Sequence, residues 1–134
     1  MSRTPVQPAR VLLVEDNEVN AYLASFLLQD AGIAVQWVQN GQQALDAVAL
    51  QRPDLVLMDI RMPVMDGLEA TRRLRADARL AGLQVVALSA NAMPTEKTQA
   101  MQAGCDGHIE KPINVARFID QVRAHLARVG RGQA

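Results

Sequence analysis

The stretch Asp54-Leu-Val-Leu-Met-Asp59-Ile-Arg-Met-Pro-Val-Met-Asp-Gly67 is the part of the chain from which its fold can be read outward. Leu55-Val-Leu-Met58 is an unbroken apolar run, the pattern of a strand covered on both faces. It stops on a bare carboxylate, Asp59, and a loop containing Pro63 and Gly67 follows at once. An isolated Asp at such a point is an ordinary turn residue. Its meaning depends on what the rest of the chain brings to it.

Upstream, Val11-Leu-Leu-Val14 is a second fully apolar strand. A helical pattern follows with Val19, Leu23, Phe26 and Leu27 as its expected inner stripe, closed by Gly32. Ile33 to Val38 is a strand in which polar Gln36 breaks the run, as expected of a sheet edge. Gly41 to Gln51 forms a second helix carrying Leu45 and Val48, stopped by Arg52-Pro53. Downstream, a weakly amphipathic third helix is expected from Leu68 to about Arg79, then a strand at Val85-Val-Ala-Leu88. Met93 to Ala103 is a fourth helix with a sparse stripe (Met93, Ala100, Met101), Pro94 in its first turn and Gly104 after its end. Gly107-His-Ile-Glu110 is a brief fifth strand, and Val115, Phe118, Ile119, Val122 and Leu126 mark a strongly amphipathic last helix. Five strand–helix alternations call for an α/β fold, a parallel sheet with helices on both faces.

The 134 residues suffice for one domain with a single core. Lys plus Arg and Asp plus Glu both total 14, so no net field draws the chain to nucleic acid. The lone Cys105 excludes an internal disulfide and fits a reducing, cytoplasmic setting. No apolar run approaches the roughly 18 residues of a membrane span. Residues 1–9 are expected to be a disordered lead, 10–129 the domain and 130–134 a disordered tail.

In an open parallel sheet, ligands sit beyond the carboxyl ends of the strands. There the first strand ends on Glu15-Asp16, the third on Asp59, the fourth on Ser89 and the fifth on Lys111-Pro112. Each alone has an ordinary reading as a cap, a turn residue or a solvated side chain. Together they bring three carboxylates, a hydroxyl and an ammonium to one rim. Two like charges about 4 Å apart repel by roughly 4 kcal/mol at an effective dielectric near 20, so the acids need a cation. An all-oxygen site suits Mg²⁺, which would keep Asp59 ionised and nucleophilic. A phosphoryl group there would meet positioning and charge neutralisation, most of what its transfer requires.

Val14-Glu-Asp-Asn17, Met58-Asp-Ile-Arg-Met-Pro63 with Met65-Asp-Gly67, Ala87-Leu-Ser-Ala-Asn-Ala-Met93 and Glu110-Lys-Pro112 resemble the receiver domains of two-component response regulators. The resemblance runs from about Arg10 to Leu126 and implies a flavodoxin-like (βα)5 fold of strand order 2-1-3-4-5. It implies Asp59 as acceptor of phosphate from a sensor histidine kinase or a histidine phosphotransfer protein. Asp16 would bind Mg²⁺ directly, Glu15 mainly through water, and Arg61 through its backbone carbonyl. Lys111 would contact the phosphate, Ser89 would be the switch hydroxyl, and a cis peptide would precede Pro112. Pro63 and Gly67 would shape the loop behind the acceptor. The family usually has Tyr or Phe where this chain has His108, the ring that turns inward with the switch. Such a chain would show no activity beyond its own Mg²⁺-dependent phosphorylation and dephosphorylation. The output surface would be the fourth helix, fifth strand and fifth helix, with no attached DNA-binding domain and a monomer or a weak phosphorylation-dependent dimer. The Val14–Asn20 and Ser89–Met93 wording is similar to phosphorelay and hybrid-kinase receivers, and Gly104–Ile113 to a free-standing regulator of the bacterial cell-division cycle.

Three other readings stay open on the sequence. A haloacid-dehalogenase-type phosphatase also uses a strand-end Asp, Mg²⁺, a hydroxyl and a Lys, but needs a second acid where Arg61 stands. An FMN carrier would need a hydroxyl- and Gly-rich loop after the first strand, which is missing. A receiver used as a constitutive scaffold would keep the fold without the switch.

Overall fold

The computed structural model describes residues 8–90 and 94–128. Most of the expected lead and tail, and Asn91 to Met93 before the fourth helix, therefore lie outside the described residues. The elements run β1 (Arg10–Val14), α1 (Glu18–Asp30), β2 (Ala34–Val38), α2 (Gly41–Leu50), β3 (Leu55–Asp59), α3 (Gly67–Ala76), β4 (Gln84–Ser89), α4 (Pro94–Ala103), β5 (Gly107–Glu110) and α5 (Phe118–Leu126). All strand pairs are parallel, in the order β2-β1-β3-β4-β5. This is the flavodoxin-like arrangement.

The strands sort their side chains by alternation. Leu12, Val14, Val56, Met58, Val85 and Ala87 face one layer, built from α2, α3 and α4. Val11, Leu13, Leu55, Leu57, Val86 and Leu88 face the other, built from α1 and α5. Every residue of β3 is buried, which is why its run carries no polar residue before Asp59. β2 is the edge that Gln36 indicated, and Gln36 itself is exposed. Side-chain oxygens of Asn17, Asn40 and Asp66 accept from backbone N–H groups in the first turns of α1, α2 and α3 at 2.9–3.0 Å.

Three expectations need correction. The inner face of α1 is Ala21, Ala24 and Leu28, while Val19 (75%), Tyr22 (71%) and Phe26 (65%) are exposed. Small residues let this helix lie close to the sheet, so Val19, Leu23 and Phe26 are left outside while Leu27 still packs against the core. The third helix ends at Ala76 rather than near Arg79, because the Asp77 carboxylate accepts from the Arg79 N–H and starts a separate 3₁₀ turn at Ala78–Leu80. It also has a distinct inner face, Ala70, Thr71 and Leu74. Finally, Val115 precedes α5 and is exposed, and Met101 of α4 faces solvent rather than the core.

The edge of the sheet away from the carboxyl ends is pinned by one side chain. Arg75 donates to the carbonyl oxygens of Gly104 (2.8 Å) and Leu83 (2.6 Å) and to Asp106 Oδ2 (2.5 Å). Asp106 Oδ2 also accepts from the Val85 N–H at 2.8 Å. The planar guanidinium thus ties α3, β4 and the turn after α4, where Gly104 adopts φ 110°. Arg75→Ala should lower unfolding free energy by about 2–4 kcal/mol in urea denaturation, since it strands partly buried acceptors. Arg75→Lys should recover less than half of that, lacking the fork.

Candidate functional site

Parallel strands all end on the same side, and the direction of winding reverses between β1 and β3. The last residue of β3 is Asp59, and Glu15 and Asp16 follow β1 immediately. Ligand oxygens of Glu15, Asp16 and Asp59 lie within 4.8 Å of one another. Glu15 and Asp59 are buried, and Asp16 is exposed at the mouth. Lys111, from the loop after β5, places Nζ 3.0 Å from Glu15 Oε2 and 3.1 Å from Asp59 Oδ2. The sequence-based grouping of these four residues is therefore what the fold brings together.

Backbone geometry holds the group in place. The Glu15 N–H donates to the Val38 carbonyl at 3.0 Å, and the Glu15 carbonyl accepts from the Trp37 indole N–H at 2.7 Å. The Asn17 N–H donates to Glu15 Oε1 at 3.2 Å. The Arg61 N–H donates to Asp59 Oδ1 at 3.2 Å, which keeps that peptide against the carboxylate. The Gly67 N–H donates to the Ile60 carbonyl at 2.9 Å, and a Cβ at Gly67 would collide with the Asp59 carbonyl oxygen. Between them, Val64 takes φ 70°, a conformation that costs a β-branched residue energy, next to the Pro63 carbonyl that accepts from Met65 N–H at 2.8 Å. The Lys111–Pro112 peptide is cis, as the resemblance implied.

The electrostatics favour a cation. Burial first, and then the Glu15 charge, push the Asp59 carboxyl up to about 7, against the opposing pull of Lys111. Partial burial opposes the Lys111 charge, but its bonds to Glu15 and Asp59 outweigh that and hold it above the ordinary lysine range. One ammonium does not balance three carboxylates. An all-oxygen donor set left net negative fits Mg²⁺.

Ser89 ends β4 and is buried. Its Oγ donates to Glu96 Oε1 at 3.0 Å, and Arg61 Nε stands 3.6 Å from the same oxygen. Glu96, in the first turn of α4, was not foreseen. An acid there reads from sequence as a partner of the helix dipole, and only the fold reveals that it is buried against the rim. His108 is half-buried on β5, and its Nε2 is buried without a hydrogen-bond partner among the described residues. Its desolvation, with the Lys97 charge, lowers its pKa against Glu110 and Glu96, so the ring is neutral near pH 7.

This fold is shared by solved response-regulator structures. A response regulator from Chloroflexus aurantiacus superposes with a TM-score of 0.86 at 26% identity, covering 90% of this chain and 99% of the other. The receiver domain of a sensor histidine kinase from Pseudomonas aeruginosa, which has a magnesium ion coordinated in its active-site cleft, gives 0.83 at 35% identity over 90% and 99%. A polar-differentiation response regulator, DivK, from Brucella anthropi is 41% identical over 89% of this chain and 97% of its own length. The response regulator receiver domain matches residues 11–123, and the chain belongs to that family.

The raised pKa of Asp59 has a consequence for stability. An unfolded Asp titrates near ~3.9. Ionising Asp59 in the fold is therefore unfavourable above that pH, and the penalty is complete only above about 7. In chelator, Asp59→Asn should raise Tm by roughly 4–8 °C at pH 8, a gain that shrinks toward zero near pH 4.

Proposed function

We propose that this chain is a phosphoacceptor whose Asp59 receives a phosphoryl group from the phosphohistidine of a sensor histidine kinase or a histidine phosphotransfer protein. The observation that carries the reading is the sharing of one Lys111 ammonium by two buried carboxylates, at 3.0 and 3.1 Å, with Asp16 beside them. Glu15, Asp16, Asp59 and the Arg61 carbonyl would hold Mg²⁺. Bound there, the ion supplies the positive charge that keeps Asp59 ionised and offsets the phosphoryl oxygens.

An Asp59 carboxylate oxygen attacks phosphorus as the P–N bond to the donor imidazole breaks. The bonding electron pair stays on that nitrogen, which takes a proton from water. Lys111 then turns from Glu15 and Asp59 to a phosphoryl oxygen, and Ser89 donates its hydroxyl to another. Two charge-assisted hydrogen bonds contribute about 3–6 kcal/mol. A switch from mostly off to mostly on needs about 5.5 kcal/mol, so the bias is of the right size. The surface of α4, β5 and α5 is the reading's output face, with His108 between β5 and α4 in the role of the usual aromatic ring.

The outer face of α1 suits the donor. Val19, Tyr22 and Phe26 form an exposed apolar strip on the helix that starts beside Asp16. Next to it a cleft of about 380 Å³ is lined by Leu23, Ala24, Leu88, Pro112, Ile113 and Lys111. A helical partner laid along this strip would bring its histidine to the rim. The name of the Brucella relatives, polar-differentiation response regulator, supports a role for this chain in polar differentiation. A free, buried Cys105 suits a reducing cytoplasm.

With Mg²⁺ and acetyl phosphate, wild type should take up one acid-labile label, and Asp59→Asn none. Absence of label on the wild type would overturn the reading. Phe26→Glu should slow transfer from a phosphohistidine donor about tenfold or more, while labelling by acetyl phosphate stays within about twofold.

A further inference from the structure

Ser89 has one proton to give. In this structure it goes to Glu96, a residue only 9% exposed, whose Oε2 is buried without a hydrogen-bond partner among the described residues. Arg61, with its side chain 78% exposed, is the cation at that carboxylate. A hydroxyl-to-carboxylate bond is charge-assisted and stronger than a neutral one. On the adjacent strand Asp59 pairs with Leu88, the residue before Ser89, and the Ile60 N–H bonds the Leu88 carbonyl at 3.1 Å. Asp59, Ser89 and Glu96 thus line one pocket.

We propose that Glu96 is a latch on the switch: it holds the Ser89 hydroxyl in the unphosphorylated state and must be displaced by the phosphoryl group on Asp59. This rests on Asp59 being the acceptor. When Ser89 turns to the phosphoryl oxygen, Arg61 remains as the partner that keeps Glu96 satisfied. The exchange makes the off state a bonded state rather than a slack one. It also links the α4 helix, which carries Glu96 in its first turn, directly to the event at Asp59. Glu96 is a positioning residue here: it acts through Ser89 and touches no reacting atom.

Binding of beryllofluoride, which stands in for the phosphoryl group, tests the latch by calorimetry in saturating Mg²⁺. Glu96→Gln keeps the shape and removes the charge, and should tighten beryllofluoride binding about tenfold. Glu96→Asp, whose shorter chain withdraws the carboxylate, should shift affinity the same way and covers the case in which Gln does not fold. In a Ser89→Ala background the Gln substitution should change affinity by less than about twofold. Unchanged or weaker binding by both Glu96 variants overturns the latch. So does an equal gain with and without Ser89, which would mean simple charge repulsion. Folded wild type that takes no beryllofluoride at all would instead remove the acceptor reading, and the latch with it.

Discussion

The structure depends on how a positive charge is shared at the end of an apolar sheet. Glu15 and Asp59 are both buried, and neither belongs there without Lys111 Nζ at 3.0 and 3.1 Å. Burying an unpaired charge is expensive, and breaking one partner from such a group is worse than never having placed it. The parallel topology explains why the three meet. It puts the residues that end β3 and follow β1 and β5 on one edge, although Lys111 is 96 positions from Glu15 in the chain. The glycine at position 67 belongs to the same constraint, since a Cβ there would collide with the Asp59 carbonyl.

Stability and chemistry pull in opposite directions at this edge. Burial raises the Asp59 carboxyl to about 7, a penalty to the fold that a cation beside it would relieve. The opposite edge compensates. Arg75 gathers Gly104, Leu83 and Asp106 on one guanidinium and gives a rigid base to the layer that holds α3 and the end of α4. The N-terminal turn of α4 has a different anchor, the Ser89–Glu96 bond, which lies at the acidic edge itself. One helix is thus fastened by the Arg75 guanidinium at one end and, among the described residues, by the Ser89 hydroxyl and Arg61 at Glu96 at the other.

Most of this was legible in the chain, for identifiable reasons. All five strands, their parallel pairing and the edge position of β2 follow from apolar runs, alternation and Gln36. Asp59, Glu15, Asp16 and Lys111 stand out because each ends or follows a strand. What was not legible involves depth. Hydropathy places Val19 and Phe26 inside α1, whereas the small Ala21 and Ala24 make the close contact with the sheet. Asp77 looks like helix interior and works as a stop, since its carboxylate bonds the next turn. Glu96 looks like a dipole partner, and its burial against Ser89 depends on how α4 is set over the sheet.

The indole of Trp37 gives this chain a property of a different kind. It is the single tryptophan, it stands on the edge strand, and its N–H bonds the carbonyl of Glu15 at 2.7 Å. Any occupant that shifts Glu15 changes the surroundings of that ring. Its emission is therefore a built-in optical gauge of the acidic pocket, with no dye or label required.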